Sequence, residues 1–173
     1  MRGFVARDPN NATATGGPHG WDALTHLCFS RYLRLDHERG GTLLAEFSGA
    51  GNLAGIRNLL QLGVNVASLY REGDPYFDIA KDSTALHVTA WRAWPAAVRE
   101  LIARAAPVNA LDAKGRTALS LAVKACVDSY WKDRRSPESV EALLRAGASV
   151  SGIEIPSGYD AVDELLRQYS GAV

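Results

Sequence analysis

The chain has 173 residues, 47% of them hydrophobic, with 19 basic side chains against 19 acidic ones and a formal net charge of zero. That is enough apolar material for one core in a single domain, and the balanced charge argues against nucleic acid as the main partner, which would require a basic footprint. No run approaches the roughly 20 apolar residues that span a bilayer, and the two cysteines, Cys28 and Cys126, are too few and too far apart for a disulfide framework.

Residues 1–19 hold Pro9, Asn10, Asn11, Gly16, Gly17 and Pro18 with little apolar content, the composition of a flexible leader. Met1 to Gly17 has no apolar stretch of signal-peptide type, so the expected compartment is the cytoplasm, and the sequon Asn11-Ala12-Thr13 carries little weight. Residues 20–35 (Gly20, Asp22, Ala23, Leu24, Leu27) read as an opening helix. Leu24 to Leu44 spans only 20 residues, which makes 20–41 a degenerate or truncated unit.

From there the chain repeats. Thr84-Ala85-Leu86-His87 and Thr117-Ala118-Leu119-Ser120 lie 33 residues apart, and each opens a helix-like run that closes on a Leu-Leu or Leu-Ile pair. The pairs Leu59-Leu60, Leu101-Ile102 and Leu143-Leu144 recur every 42 residues, one 33-residue period plus nine. The first nine-residue insertion lies between Val66 and Thr84 and the second between Leu119 and Val140. Gly63, Ala105 and Gly147 follow their pairs at one offset, where a left-handed residue ends a helix; Ala105 is the weak member of that set. Such units cannot bury their apolar faces alone and must pack on their neighbours.

Individual helix signals support the pattern. Pro95 is placed to begin a helix whose apolar stripe is Val98, Leu101 and Ile102. Ser136-Pro137-Glu138 is a strong start, with a capping hydroxyl, a proline at the first helical position and an acid at the positive end of the dipole. Asp112 and Gly115 favour a turn between units. Gly158 to Tyr169, with Ser157 as N-cap and Val162, Leu165, Leu166 and Tyr169 at helical spacing, reads as one closing helix.

With these residues in phase, the chain resembles the ankyrin repeat family over about residues 42–150. The matches are Leu44, Gly51, Ile56, Leu59, Leu60 and Gly63, then Thr84, Leu86, His87, Ala90, Val98, Leu101, Ile102, Val108 and Asn109, then Thr117, Leu119, Ala122, Val140, Leu143, Leu144, Gly147 and Ala148. It departs at Ala85 and Ala118, where the family has Pro, at Ser120 and Ala45, where it has His, and at Ala93, where it has a turn Gly. The resemblance implies an all-α ankyrin-repeat solenoid of stacked helix-turn-helix units linked by hairpin-like fingers. Its units would be 42–81, 82–114 and 115–150, after the degenerate unit 20–41 and before a single C-terminal capping helix within 151–173.

The resemblance also implies a concave contact surface made of finger tips and the solvent-facing ends of the first helices. By position these ends are Gly49 and Ala50, Trp91 and Arg92, and Lys124 and Ala125. Trp and Arg are the residue types enriched at interface hot spots. The bland alternative is that Trp91 and Trp94 cover the turn between two helices. The first insertion enlarges a finger to include Tyr70, Arg71, Glu72, Asp74, Pro75, Tyr76 and Phe77, aromatics that either dock on their own units or form a contact patch. The second insertion, Val127 to Arg135, holds Tyr130, Trp131, Lys132, Arg134 and Arg135, and reads first as a longer helix packing its aromatics on a neighbour.

Catalytic and metal readings are weak. The resemblance implies that His87 makes a structural hydrogen bond with Thr84 at a helix start, which satisfies a buried imidazole. No motif flanks Cys126, which with Asp128 and His87 would be the one conceivable nucleophile set. His26 and Cys28 point to different helix faces, and there is no phosphate-binding glycine loop or nucleophile elbow. The expectation is therefore a non-enzymatic module without cofactor or metal, binding another protein through Trp91, Arg92, Tyr76, Phe77, Lys81, Lys114, Arg116 and Lys124. Two alternatives stand beside it. One is an enzyme or enzyme-regulatory piece with a small pocket beneath the finger. The other is a fragment of a longer array that self-associates through Leu24, Leu27 and Phe29.

Overall fold

The computed structural model describes residues 37–127 and 135–170, and over these the chain is mostly helical. The leader, residues 20–36 and the aromatic part of the second insertion, including Tyr130 and Trp131, lie outside the described residues.

Seven helices are present among the described residues: α1 (His37–Gly49), α2 (Leu53–Gln61), α3 (Ala85–Trp91), α4 (Pro95–Ala103), α5 (Ala118–Val127), α6 (Glu138–Arg145) and α7 (Asp160–Ser170). The first six form pairs, α1 with α2, α3 with α4 and α5 with α6. The pairs lie side by side: α3 contacts both α1 and α5, α4 contacts both α2 and α6, and α7 closes on α6. Leu44, Leu86 and Leu119 from the first helices meet Leu59, Leu101 and Leu143 from the second in one continuous core that runs on to Val162 and Leu166. The outer helices are tied across by ion pairs, Arg57 to Glu100 at 2.7 Å and Arg99 to Glu138 at 3.0 Å.

The same local chemistry recurs at each end of a pair. Gly63, Ala105 and Gly147 all take positive φ (92°, 61° and 84°), and the amide after each folds back to the carbonyl of Leu59, Leu101 or Leu143 at 3.0 Å. This closes the helix C-terminus on its own orphan carbonyl. Between the helices, Gly51 and Ala93 are also left-handed, at 67° and 54°. Gly51 sits under the Trp94 ring, where a Cβ would come within 2.5 Å, while the Trp94 indole donates to the Gly49 carbonyl at 2.9 Å. Trp94 therefore joins one inter-helix turn to the preceding one.

Helix starts are satisfied by short side chains. Asn52 accepts the Gly55 amide at 3.0 Å ahead of α2. Thr117 and Ser120 exchange backbone-to-side-chain hydrogen bonds at 3.1 Å ahead of α5, so the serine at this position still serves the helix start. Ser136 accepts the Glu138 amide at 3.3 Å.

Two boundaries move relative to the sequence pattern. Helix α1, described from His37 onward, crosses the division between units 20–41 and 42–81. The helix runs through Gly40 and Gly41, which lie close to neighbouring chain: a Cβ on Gly41 would stand 2.5 Å from the Leu69 carbonyl and one on Gly40 3.2 Å from the Val64 side chain. Helix α7 begins at Asp160, two residues beyond Gly158. Asp163 holds the preceding loop by accepting the Ser157 amide at 2.7 Å.

Candidate functional site

The first insertion is an ordered finger built by its own short-range polar groups. Strands β1 (Leu69–Tyr70) and β2 (Ser83–Thr84) pair antiparallel at its base, and Asp74 bridges to Ile79 further out. Asp74 accepts the amides of Tyr76 and Phe77 at 3.0 and 3.3 Å, which starts a 3-10 turn over Pro75–Phe77. Asp78, left-handed at φ 54°, ends that turn, a conformation that aspartate tolerates better than most residues. Gly73 is required because a Cβ there would fall within 2.7 Å of the Ile79 to Lys81 backbone.

The finger lies against the ends of α3 and α5. The Trp91 indole donates to the Phe77 carbonyl at 2.6 Å, and the Arg92 guanidinium lies 4.4 Å from the centre of the Phe77 ring. Ile79 packs on a small apolar cluster of Trp91, Leu121 and Ala125. Tyr76 meets Phe77 edge-on at 4.8 Å and is otherwise 85% exposed.

Asp78 is the electrostatic centre of this arrangement. Its carboxylate accepts from Lys114 Nζ at 2.6 Å, Arg116 Nη1 at 3.1 Å and Lys124 Nζ at 3.1 Å, and its carbonyl accepts from Arg116 Nη2 at 3.1 Å. The Lys114 hydrogen bond, reinforced by Lys124 and Arg116, holds the carboxyl well below the usual carboxylate range. Lys124 also lies over the Trp91 ring at 5.2 Å. Arg116 is aimed by Asp112, whose Oδ2 accepts its Nε at 2.8 Å while Oδ1 accepts the amides of Lys114 and Arg116 at 2.9 Å. Burial pushes the Asp112 carboxyl up, and these hydrogen bonds from Arg116 and Lys114 reverse that, leaving it lowered.

Of the eight residues expected at a contact surface, seven converge here: Tyr76 and Phe77 on the finger, Trp91 and Arg92 at the end of α3, Lys114 and Arg116 on the turn, and Lys124 on α5. Lys81 is exposed beside them and contributes its carbonyl to the Ala113 amide at 3.0 Å. One expectation is corrected. Trp91 does not face solvent: it is 3% exposed, because the finger covers it. The finger thus docks on the first helices of the two units that follow it and meets the surface with which it was expected to share a partner. Asp78 and Ile79 escaped sequence reasoning, and Asp112, expected as a turn residue, makes that turn and also aims Arg116. The one available signal was an aspartate next to a loop aromatic in a chain with lysines at helix ends.

The remaining candidates have structural duties. His87 is 1% exposed. Its Nδ1 accepts from the Thr84 amide at 3.1 Å and faces the Thr84 hydroxyl at 2.8 Å, which places the ring proton on Nε2, shared between the carbonyls of Ala110 and Arg116 at 3.0 Å each. Burial pulls its pKa down. Burial pushes the Cys126 thiol up, and its sulfur sits 3.2 Å from the Ser136 carbonyl. Among the described residues, no three His, Cys, Asp or Glu side chains are grouped to hold a metal ion, and no helix is long and apolar enough to cross a membrane. Arg135, the described end of the second insertion, stacks 4.0 Å over Tyr159.

No protein-family model matches the sequence, and no curated protein matches it.

Proposed function

We propose that this chain is a non-enzymatic, ankyrin-type interaction module that binds another protein through the face where α3, α5 and the finger meet. The observation that carries the reading is the convergence of Arg92, Lys114, Arg116 and Lys124 around one finger carboxylate and one finger ring. Paired helices lying side by side, with left-handed closures at Gly63, Ala105 and Gly147, support the solenoid part of the reading. His87, whose ring nitrogens are both engaged by backbone, and the buried Cys126, whose thiol is disfavoured as thiolate, speak against these two residues as a nucleophile and its base.

Exposed charges test this best, since Trp91 is part of the packing. Lys114→Glu with Lys124→Glu should leave the helical signal intact and remove a partner from proteins cross-linked to the chain in native extract. Identical sets of cross-linked proteins for wild type and the double variant would sink the assignment of the face.

A further inference from the structure

The way the finger is held resembles the recognition of a peptide rather than the packing of a loop. Three kinds of group are read at adjacent positions: a main-chain carbonyl by the Trp91 indole, an aromatic ring by the Arg92 guanidinium, and a carboxylate by Lys114, Arg116 and Lys124. All of them belong to Phe77 and Asp78.

We propose that this face is a receptor for an acidic-aromatic segment of a partner protein, and that Phe77-Asp78 is its resident internal occupant, displaced when the partner binds. The inference rests on the module reading above and specifies its ligand. Charge supports it: Arg92, Lys114, Arg116 and Lys124 carry four positive charges against the two negative charges of Asp78 and Asp112, so these six side chains sum to +2 with the finger seated. A ligand with a second acid next to its aromatic-acid pair reduces that excess. A bare phosphate would answer the cations but leave the Arg92 shelf and the indole donor without a ring and a carbonyl.

The finger can leave without unfolding the domain. Its tip is held by side chains, the Asp74–Ile79 bridge and one backbone hydrogen bond from the Ala113 amide to the Lys81 carbonyl, whereas its base is fixed independently by the pairing of Leu69 with Thr84 and Tyr70 with Ser83. A tethered occupant competes at an effective concentration of order millimolar, so the affinity of a free segment is reduced by the fraction of molecules in which the face is open.

The test uses a fluorescein-labelled peptide of residues 73–79 of this chain, titrated by anisotropy against full-length wild type, Asp78→Asn and Phe77→Ala. Two release variants guard against one failing to fold, and circular dichroism checks both. The expected result is binding at least about ten-fold tighter to the release variants than to wild type. That binding should be lost when Lys124→Glu is added, and absent for a peptide carrying alanine and asparagine at the Phe77 and Asp78 positions. Equal affinity for all three proteins, or no binding to any, overturns the inference. Either outcome leaves the module reading standing, because the cross-linking comparison tests that reading separately.

Discussion

His87 joins the start of α3 to both ends of the turn at Ala110 and Arg116. His87→Ala strands the Thr84 amide and two carbonyls in a buried position and is expected to cost about 2–3 kcal/mol, measured by urea unfolding. The residue also sets a pH dependence. Below about pH 6.5 the unfolded chain takes up a proton that the buried imidazole refuses, so stability falls as pH drops and levels off beneath the lowered folded-state pKa. His87→Gln should flatten the thermal midpoint between about pH 7 and about pH 5, whereas an unchanged slope would assign the effect to other groups. Asp78 has the same sign at lower pH, since its carboxylate is favoured in the fold and that stability is lost on acidification below the usual aspartate range. Trp91→Ala, at 3% exposure and beneath the finger, is expected to cost about 3–5 kcal/mol through lost packing, which is why it is a poor probe of binding.

At the scale of elements, helix ends give the sharpest expectation. Ala105 is exposed and left-handed at φ 61° at the position where Gly63 and Gly147 close their own helices. The left-handed conformation costs alanine about 1–2 kcal/mol, while glycine loses about 0.5–1 kcal/mol more entropy on folding, so Ala105→Gly should stabilise the protein by about 0.5–1 kcal/mol. A destabilised variant in denaturant melts would show that strain is not what distinguishes this end. The position was legible in the sequence because helix closure is local: the Leu-Leu pair, the offset and the residue type suffice. The starts at Pro95 and Ser136 and the stripe of Val98 and Leu101 were legible for the same reason. The finger was half legible. Its aromatics and length stood out, but its seat depends on Asp78 meeting Lys114, Arg116 and Lys124 across separations of 36, 38 and 46 residues, which no periodicity encodes. Trp91 was misread for the same cause: its place on α3 faces outward until a segment from another unit covers it.

Among the described residues of the molecule, contacts run chiefly between neighbouring helix pairs, and the C-terminal helix is not equivalent to the middle ones. Helix α3 is flanked by α1, α4 and α5, whereas α7 packs chiefly on α6. Cooperativity then depends on the couplings between neighbours, and the helix with one substantial neighbour should open first. Native-state amide exchange should therefore give α7 a lower opening free energy than α3. Leu166→Ala removes a fully buried side chain from that end and should cost about 2–5 kcal/mol of local protection in α7 and α6. Amides of α1 and α3 should move by less than about 0.5 kcal/mol, the level at which distant sites remain independent. A uniform loss of protection from α1 to α7 would instead mean that the core from Leu44 to Leu166 opens only as one unit. Displacing the finger would then have to proceed against the stability of the entire domain rather than that of its own tip.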